Sequence, residues 1–413
     1  MITSMQTLSI DHQRLLHDIE TLATFTEPDT DGWTRRAFSP AFVAGREWLA
    51  DRMRRAGLET YIDAAGNLIG RRGANNMPAL VIGSHTDTVP GAGRFDGMLG
   101  VLAGIAIAQA LQDTGQELRH PLEVIDFLAE EPTPYGSCIG SRAMTNNLDT
   151  PLDFRDESGR TLADMLLAVG GQPDALASVV RQPSEIAAYL ELHIEQGRVL
   201  EAANAPIGIV SGIVGIRRAT LRFTGRPDHA GATPMALRHD ALAAAAVTVL
   251  HAEQSAQAVE GAVATVGALS LSPNQSNVVP GKVELQVEMR SLQWNTVEGI
   301  WNSITTSAEQ AGTLRGVALQ ISNIHDMAPM QTPDWLRDIV GEACASVAPN
   351  TPVLPSGAGH DASWMSCIAP AGMIFVRSRE GRSHCPEEYS SPEDTAAGVD
   401  VLARALLLLD KKE

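Results

Sequence analysis

The sequence predicts an α/β protein in two parts: a larger layered domain with a mixed sheet, and a smaller β-α-β-β-α-β domain inserted into it. Three observations lead there. Up to residue 212 the chain alternates strand-like apolar runs with helix-like stretches, the pattern of a layered α/β domain with a largely parallel sheet. From residue 213 the rhythm becomes β-α-β-β-α-β over roughly 110 residues, the ferredoxin-like split unit. After about Met330 the mixed rhythm returns, so 1–212 and 330–413 read as two parts of one domain and 213–329 as an insertion. At 413 residues the chain is also too long for one ordinary core, and 44% apolar residues supply two.

The elements follow in order. Phe42, Leu49, Met53 and Ala56 recur at helical spacing, and Gly57 stops that helix. LETYID (58–63), NLIGRR (67–72) and ALVIGS (79–84) read as strands. GVLAGIAIAQALQ (100–112) is apolar nearly all round, which predicts a helix buried on every side. LEVIDFL (122–128) and AAYLELHI (187–194) are two further strands. In the insertion the strands are RATLRFTG, AVATVGALSL, KVELQVEMRS and VALQIS, and the helices DALAAAAVTVLHAEQ and VEGIWNSITTSAEQAG. The closing part holds helix WLRDIVGEACASV, strand AGMIFVR and the apolar helix EDTAAGVDVLARALLLL.

A net charge of −18, from 49 acidic and 31 basic residues, opposes binding to nucleic acid or an anionic membrane. Any anionic ligand is then held by a few local cations. No apolar run reaches the length of a membrane span, and the N-terminal stretch lacks a basic segment followed by an apolar one. A soluble cytoplasmic protein is the expectation. Cys138, Cys344, Cys367 and Cys385 form no C-x-x-C pair, which favours reduced thiols over a disulfide framework or a thiolate zinc ribbon.

The candidate chemistry collects at strand ends. LAEEPTPYG places Glu130 and Glu131 just past a buried strand, where adjacent negative charges need a cation or a shared proton. His85 and Asp87 emerge from the strand ALVIGS, at the edge where open α/β sheets place ligands. A carboxylate there fixes the tautomer of a metal-bound imidazole, and the plainer alternative is a helix cap. Asp96, in the Gly-rich GRFDGML, has the same plain alternative, but a carboxylate in that loop suits a cation better than a phosphate. His193 in LELHIEQG falls at a strand end and His384 in EGRSHCPEE follows a strand, places where a lone histidine is more often a core residue than a ligand. Taken together, three histidines and two carboxylates along one sheet edge are enough for two divalent ions bridged by one aspartate. The donors suit Zn²⁺, with Mn²⁺, Co²⁺ or Ni²⁺ as substitutes. One glutamate of the pair then binds metal, and the other moves a proton to and from water.

The motifs GSHTDTVPGAGRFDG, AEE, ELHIEQG, HAGATPM, SNVVPG, SGAGHDA and GRSHCPEE, in that order, make the chain resemble the hydantoinase/carbamoylase amidohydrolases of the M20 peptidase clan over nearly its whole length. These are N-carbamoyl-L-amino-acid hydrolases, β-ureidopropionases and allantoate amidohydrolases. The resemblance implies a di-metal catalytic domain interrupted by a lid domain that makes a homodimer. It implies Asp96 as the bridging ligand, His85 and His193 on one ion, Glu131 and His384 on the other, Glu130 as general base and Asp87 as the partner of His85. It also implies that His229 of DHAGATPM stabilises the oxyanion and that Asn277 and Arg290 hold the carboxylate of a small-molecule substrate. Gln196, Gly359 and His360 are further contacts around the site. The implied reaction is hydrolysis of an N-carbamoyl amino acid or related ureido acid to amino acid, CO₂ and ammonia, and the rival is the same machinery on an N-acyl amino acid or dipeptide. A non-catalytic binding protein would be expected to have lost the base, and Glu130 is present.

Two departures bear on substrate rather than on metal. Many relatives continue the glutamate pair as EEGSRF, whereas here EEPTPYGSCIGSRAM makes a longer connection that should reshape the pocket wall. Many also carry a glutamine where this chain has Ile216 in GIVGIRR.

Overall fold

The computed structural model describes residues 8–412 apart from 29, 75 and 76. The first seven residues of the N-terminal stretch read above for a targeting segment lie outside them. The chain divides into two compact units, Met1–Gly212 with Thr332–Glu413, and Ile213–Gln331. The strands are β1 (Glu59–Ile62), β2 (Leu68–Arg72), β3 (Ala79–His85), β4 (Leu122–Phe127), β5 (Ile186–Ile194), β6 (Ile207–Ile213), β7 (Gly215–Thr224), β8 (Val263–Ser272), β9 (Lys282–Ser291), β10 (Ala318–Met327), β11 (Met330–Gln331), β12 (Val353–Ser356) and β13 (Ala371–Val376).

The larger unit's sheet runs β1-β2-β4-β3-β5-β13-β6, with β12 also paired to β6. It is mixed, as the α/β class expected: β3 lies parallel to β4 and β5, and β13 parallel to β5. The pairs β1/β2, β2/β4 and β13/β6 are antiparallel. The four adjacent strands β4-β3-β5-β13 therefore end at one edge of the sheet, and the register sets His85 beside Phe127 and His193 beside Phe375. β3, β4 and β13 are buried at every residue, as continuous apolar strands covered on both faces should be. The helix Met98–Thr114 packs into this core and is buried at every position from Met98 to Leu111 except Gln109.

Charged groups also tie this unit together. Helix Pro40–Arg55 sends Arg46 to Asp126 of β4, with Nε donating to Oδ2 at 2.8 Å and both side chains buried. Removing one partner of such a pair typically costs about 3–5 kcal/mol, because the other charge is left uncompensated. Arg35, 1% exposed, donates to the carbonyls of Thr86, Leu22 and Phe25, and so pins the turn that follows His85.

The second unit runs β7, helix Ala241–Gln257, β8, β9, helix Trp294–Arg315, β10. Its four-stranded sheet has the order β10-β7-β9-β8 with every pair antiparallel. β9 alternates buried and more open positions, and its Val283, Leu285, Val287 and Met289 join Leu221 and Phe223 against Ala244, Val297, Ile300 and Ile304 of the two helices. One face of this sheet thus carries the unit's core.

Candidate metal centre

The edge formed by the ends of β4, β3, β5 and β13 gathers the chemistry. His85 is the last residue of β3, His193 the penultimate residue of β5, Glu130 and Glu131 follow β4, and His384 lies in the loop after β13. Asp96 comes from the loop between β3 and helix Met98–Thr114. Its Oδ1 lies 3.1 Å from His193 Nε2 and 3.8 Å from His85 Nε2, and its Oδ2 lies 3.1 Å from His384 Nε2. Glu131 Oε1 is 3.3 Å from the same His384 nitrogen. The donor atoms of His85, Asp96 and His193 all lie within 4.8 Å of one another, and so do those of Asp96, Glu131 and His384. Asp96 is common to both groups.

The tautomers fit a metal. His85 Nδ1 is hydrogen-bonded to the Asp87 carbonyl at 3.0 Å and His193 Nδ1 to the Ile194 carbonyl at 2.9 Å. A carbonyl only accepts, so each Nδ1 carries the proton and, in the neutral ring, each Nε2 presents a lone pair to the cluster. His193 Nε2 is buried without a hydrogen-bond partner, an orphan that a cation would satisfy. Gly97 makes the approach possible: at φ +66° it turns the chain after Asp96, and a Cβ there would stand 2.3 Å from His85 Nε2. A third group, Glu191, His193 and His360, falls within the same 4.8 Å, but Glu191 already accepts from Ser84 Oγ, Tyr189 OH and the Ala362 amide. It forms a hydrogen-bonded backing to the centre.

Charge crowding is severe. Burial raises the Glu130 carboxyl well above its ordinary range, and the neighbouring Glu131, Asp361 and Asp87 add to it against the opposing His85. Burial also pushes Asp87 up to about 7. Burial works in the same direction on Asp96, yet His193 and His384 override it and hold this carboxyl well below the usual range. For His85 and His193 burial favours the neutral ring, but the surrounding carboxylates reverse the balance and both pKa values rise. His384 is raised to about 10 by its contacts with Asp96 and Glu131. In the metal-free chain the imidazoles therefore hold protons that a metal must displace, so apparent metal affinity is expected to rise with pH across the neutral range. Calorimetric titration of Zn²⁺ in buffers of different ionisation enthalpy should show net proton release, and a buffer-independent heat would contradict it.

One expected residue behaves differently from the expectation. Asp87 was expected to orient His85 through its carboxylate. That carboxylate instead accepts from the amides of Glu130, at 3.3 Å, and Glu131, at 3.1 Å, and stands 3.7 Å from His85 Nδ1, which is bonded to the Asp87 main chain. Asp87 thus fixes the glutamate pair. The helix-cap alternative for Asp96 is also absent, since Gly97 is the N-cap and no side chain caps that helix. Gln196 is turned onto the cluster: its Nε2 donates to Asp96 Oδ2 at 2.9 Å and lies 3.4 Å from His384 Nε2. His360 is buried, packs edge-on against His193 at 4.4 Å between ring centroids, and bonds Ser356 Oγ at 2.9 Å, with Gly359 directly before it in the chain. Burial, and then the positive charge of His193, keeps the His360 pKa well below its ordinary value.

His229, Asn277 and Arg290 belong to the second unit. His229 Nδ1 accepts from the amides of Gly231 and Ala232, both at 3.1 Å, which leaves Nε2 as the protonated donor. Arg290 pairs with Glu288, its Nε donating to Oε1 at 2.6 Å, and sits across from Ile216 in the β7/β9 ladder. The EEPTPYG segment closes a tight turn between Thr133 and Gly136, and Tyr135 packs edge-on against Phe38. Pro132, Thr133, Pro134 and Tyr135 line a cavity of about 470 Å³ that reaches Glu131.

Sequence reasoning missed Glu388 and Ser383. Glu388 is 3% exposed, and its Oε1 accepts from the amides of Phe95, at 2.8 Å, and Asp96, at 3.1 Å. Ser383 Oγ lies 2.8 Å from Glu388 Oε2 and 3.0 Å from Asp96 Oδ2. One hydroxyl hydrogen stands between two carboxylates, in keeping with a Glu388 pKa raised to about 7 by burial and by the Asp96 charge. The only signal for it was its place in GRSHCPEE.

Comparison with known proteins identifies the family. Residues 81–408 match the model of peptidase family M20/M25/M40. The chain is 40% identical to an N-carbamoyl-L-amino acid amidohydrolase of Geobacillus stearothermophilus, over 98% of this chain and 100% of that protein. It is 34% identical to a ureidoglycolate hydrolase of Arabidopsis thaliana, over 99% of this chain and 88% of that one. The crystal structure of an amidase of the hydantoinase/carbamoylase family from Burkholderia multivorans superposes with a TM-score of 0.90 at 30% identity, covering 98% of this chain and 99% of that one. The chain therefore belongs to peptidase family M20/M25/M40, on its hydantoinase/carbamoylase branch.

Proposed function

We propose that this protein is an amidohydrolase that cleaves the linear C–N bond of an N-carbamoyl amino acid or related ureido acid, releasing amino acid, CO₂ and ammonia. The observation that carries the reading is Asp96 shared by two donor groups, with Glu130 beside them but in neither. The relatives at 40% and 34% identity are named for ureido substrates, which favours a ureido over an acyl group. Two divalent ions, Zn²⁺ first and Mn²⁺, Co²⁺ or Ni²⁺ as substitutes, would be held by His85, Asp96 and His193 and by Asp96, Glu131 and His384, and would supply Lewis acidity for the carbonyl and for water.

The chain's own residues do the rest. Glu130, kept basic enough by its buried and anionic surroundings, takes the proton of the attacking water and returns it to the leaving nitrogen. Asp87 holds the main chain of that glutamate in place. His229, with its proton set on Nε2, is suited to donate to the carbonyl oxygen as negative charge grows there. Arg290 and Asn277 are suited to the substrate carboxylate, the guanidinium by its bidentate shape. In the same reading the β-α-β-β-α-β unit is a ferredoxin-like lid through which two copies dimerise. Among the described residues no helix is long and apolar enough to cross a membrane, and the reading places the enzyme in the cytoplasm.

A panel of N-carbamoyl, N-formyl and N-acetyl amino acids, assayed for ammonia and for free amino acid, tests this. Ammonia is expected from the N-carbamoyl substrates and should vanish when a chelator strips the protein. Faster turnover of the acyl substrates, or full activity of the stripped protein, would overturn it.

A further inference from the structure

We infer that Glu388 is a positioning residue that seats the His384 loop on the Asp96 loop, so that Asp96, Glu131 and His384 come together as one donor group. The inference rests on the two-ion reading above and concerns how the second ion is kept. The three histidines are held unequally. His85 and His193 sit on neighbouring strands with side chains 2% and 1% exposed, whereas the His384 side chain is 47% exposed. His384 also adopts φ +56° in a loop, and no strand ladder holds it.

A buried carboxylate ties that loop to the main chain of the Asp96 loop. Glu388 Oε1 takes the amides of Phe95 and Asp96, while Oε2 meets the hydroxyl of Ser383, the residue before His384. Ser383 in turn donates to Asp96 Oδ2, so both the main chain and the side chain of Asp96 are bound to the loop that carries His384. The Asp96 loop is shaped to admit the strut: a Cβ on Gly93 would lie 2.3 Å from Glu388 atoms. Beside it Tyr389 packs edge-on against Phe95, with ring centroids 5.8 Å apart. Both Glu388 oxygens are occupied and Glu388 is in neither donor group, so it acts through its neighbours. Outer partners of this kind typically change metal affinity 10- to 100-fold.

The test uses the full chain, stripped of metal and titrated with Zn²⁺ against a chromophoric chelator, with Co²⁺ absorption as a second readout. Wild type is expected to take two equivalents. E388A and S383A should bind the first equivalent as wild type does and the second about 10- to 100-fold more weakly. E388Q keeps an acceptor for the two amides and turns an NH₂ toward Ser383, and S383T keeps the hydroxyl, so both should stay within a few-fold of wild type. If E388A does not fold, S383A, which removes one hydroxyl, decides the matter. Unchanged affinity for both equivalents in the alanine variants, or equal weakening of both, would overturn the inference. A wild-type protein taking only one equivalent would overturn the two-ion reading, and this inference with it.

Discussion

Glu130→Gln is expected to lower kcat by about 10²–10⁴-fold, the range general acid–base groups supply, with metal content unchanged. Glu130 Oε2 lies 3.6 Å from His85 Nε2, close enough to reach water at the centre, yet the residue belongs to neither donor group. Its amide is held by Asp87 and its half-buried carboxylate lies among other acids, the conditions that keep a carboxylate proton-hungry near neutral pH. Glutamine preserves the shape and removes the proton acceptor. Steady-state turnover at saturating N-carbamoyl substrate, measured beside metal analysis of the same sample, checks this. Wild-type kcat in a fully metal-loaded variant would remove Glu130 from the mechanism.

Asp96→Ala should do more, abolishing retention of both ions and bringing activity to background. Asp96 is the one residue in both donor groups, offering Oδ1 toward His193 and Oδ2 toward His384. Its loss also strips an acceptor from Gln196 and Ser383 and removes the negative charge that compensates three imidazoles. The affinity loss is expected to exceed the roughly 10- to 100-fold typical of an outer partner. Equilibrium dialysis followed by elemental analysis measures it, and a variant that still binds two equivalents would contradict the shared role.

The order of elements was largely legible in the sequence, because long buried strands and an all-apolar helix leave strong patterns. KVELQVEMRS is strand β9 in full, and 100–112 falls within the helix Met98–Thr114. Helix His12–Ala23, with its stripe of Leu15, Ile19 and Leu22, was readable but not read. β6 and β12 were hidden for a physical reason: IGIVSGI is a short apolar run broken by two glycines, and VLPS contains a proline that interior strands disfavour. The gathering of His85, Asp96, Glu131, His193 and His384 was legible because each lies at a strand end or in the loop beyond it. The partner of His85 was not, since a main-chain carbonyl leaves no mark on residue type. Glu388 escaped because carboxylates that bind amides look, in sequence, like any surface glutamate.

The parallel order β4-β3-β5-β13 has a consequence for biosynthesis. Neighbouring parallel strands are joined by long crossovers, so donors that touch in space are synthesised far apart, from His85 to His384. The whole of Ile213–Gln331 leaves the ribosome between His193 and His384. A nascent chain can thus own the His85–Asp96–His193 triad early, while the Asp96–Glu131–His384 triad waits for β13 to dock beside β5. In the two-ion reading, the second donor set is therefore the last to be completed as the chain emerges.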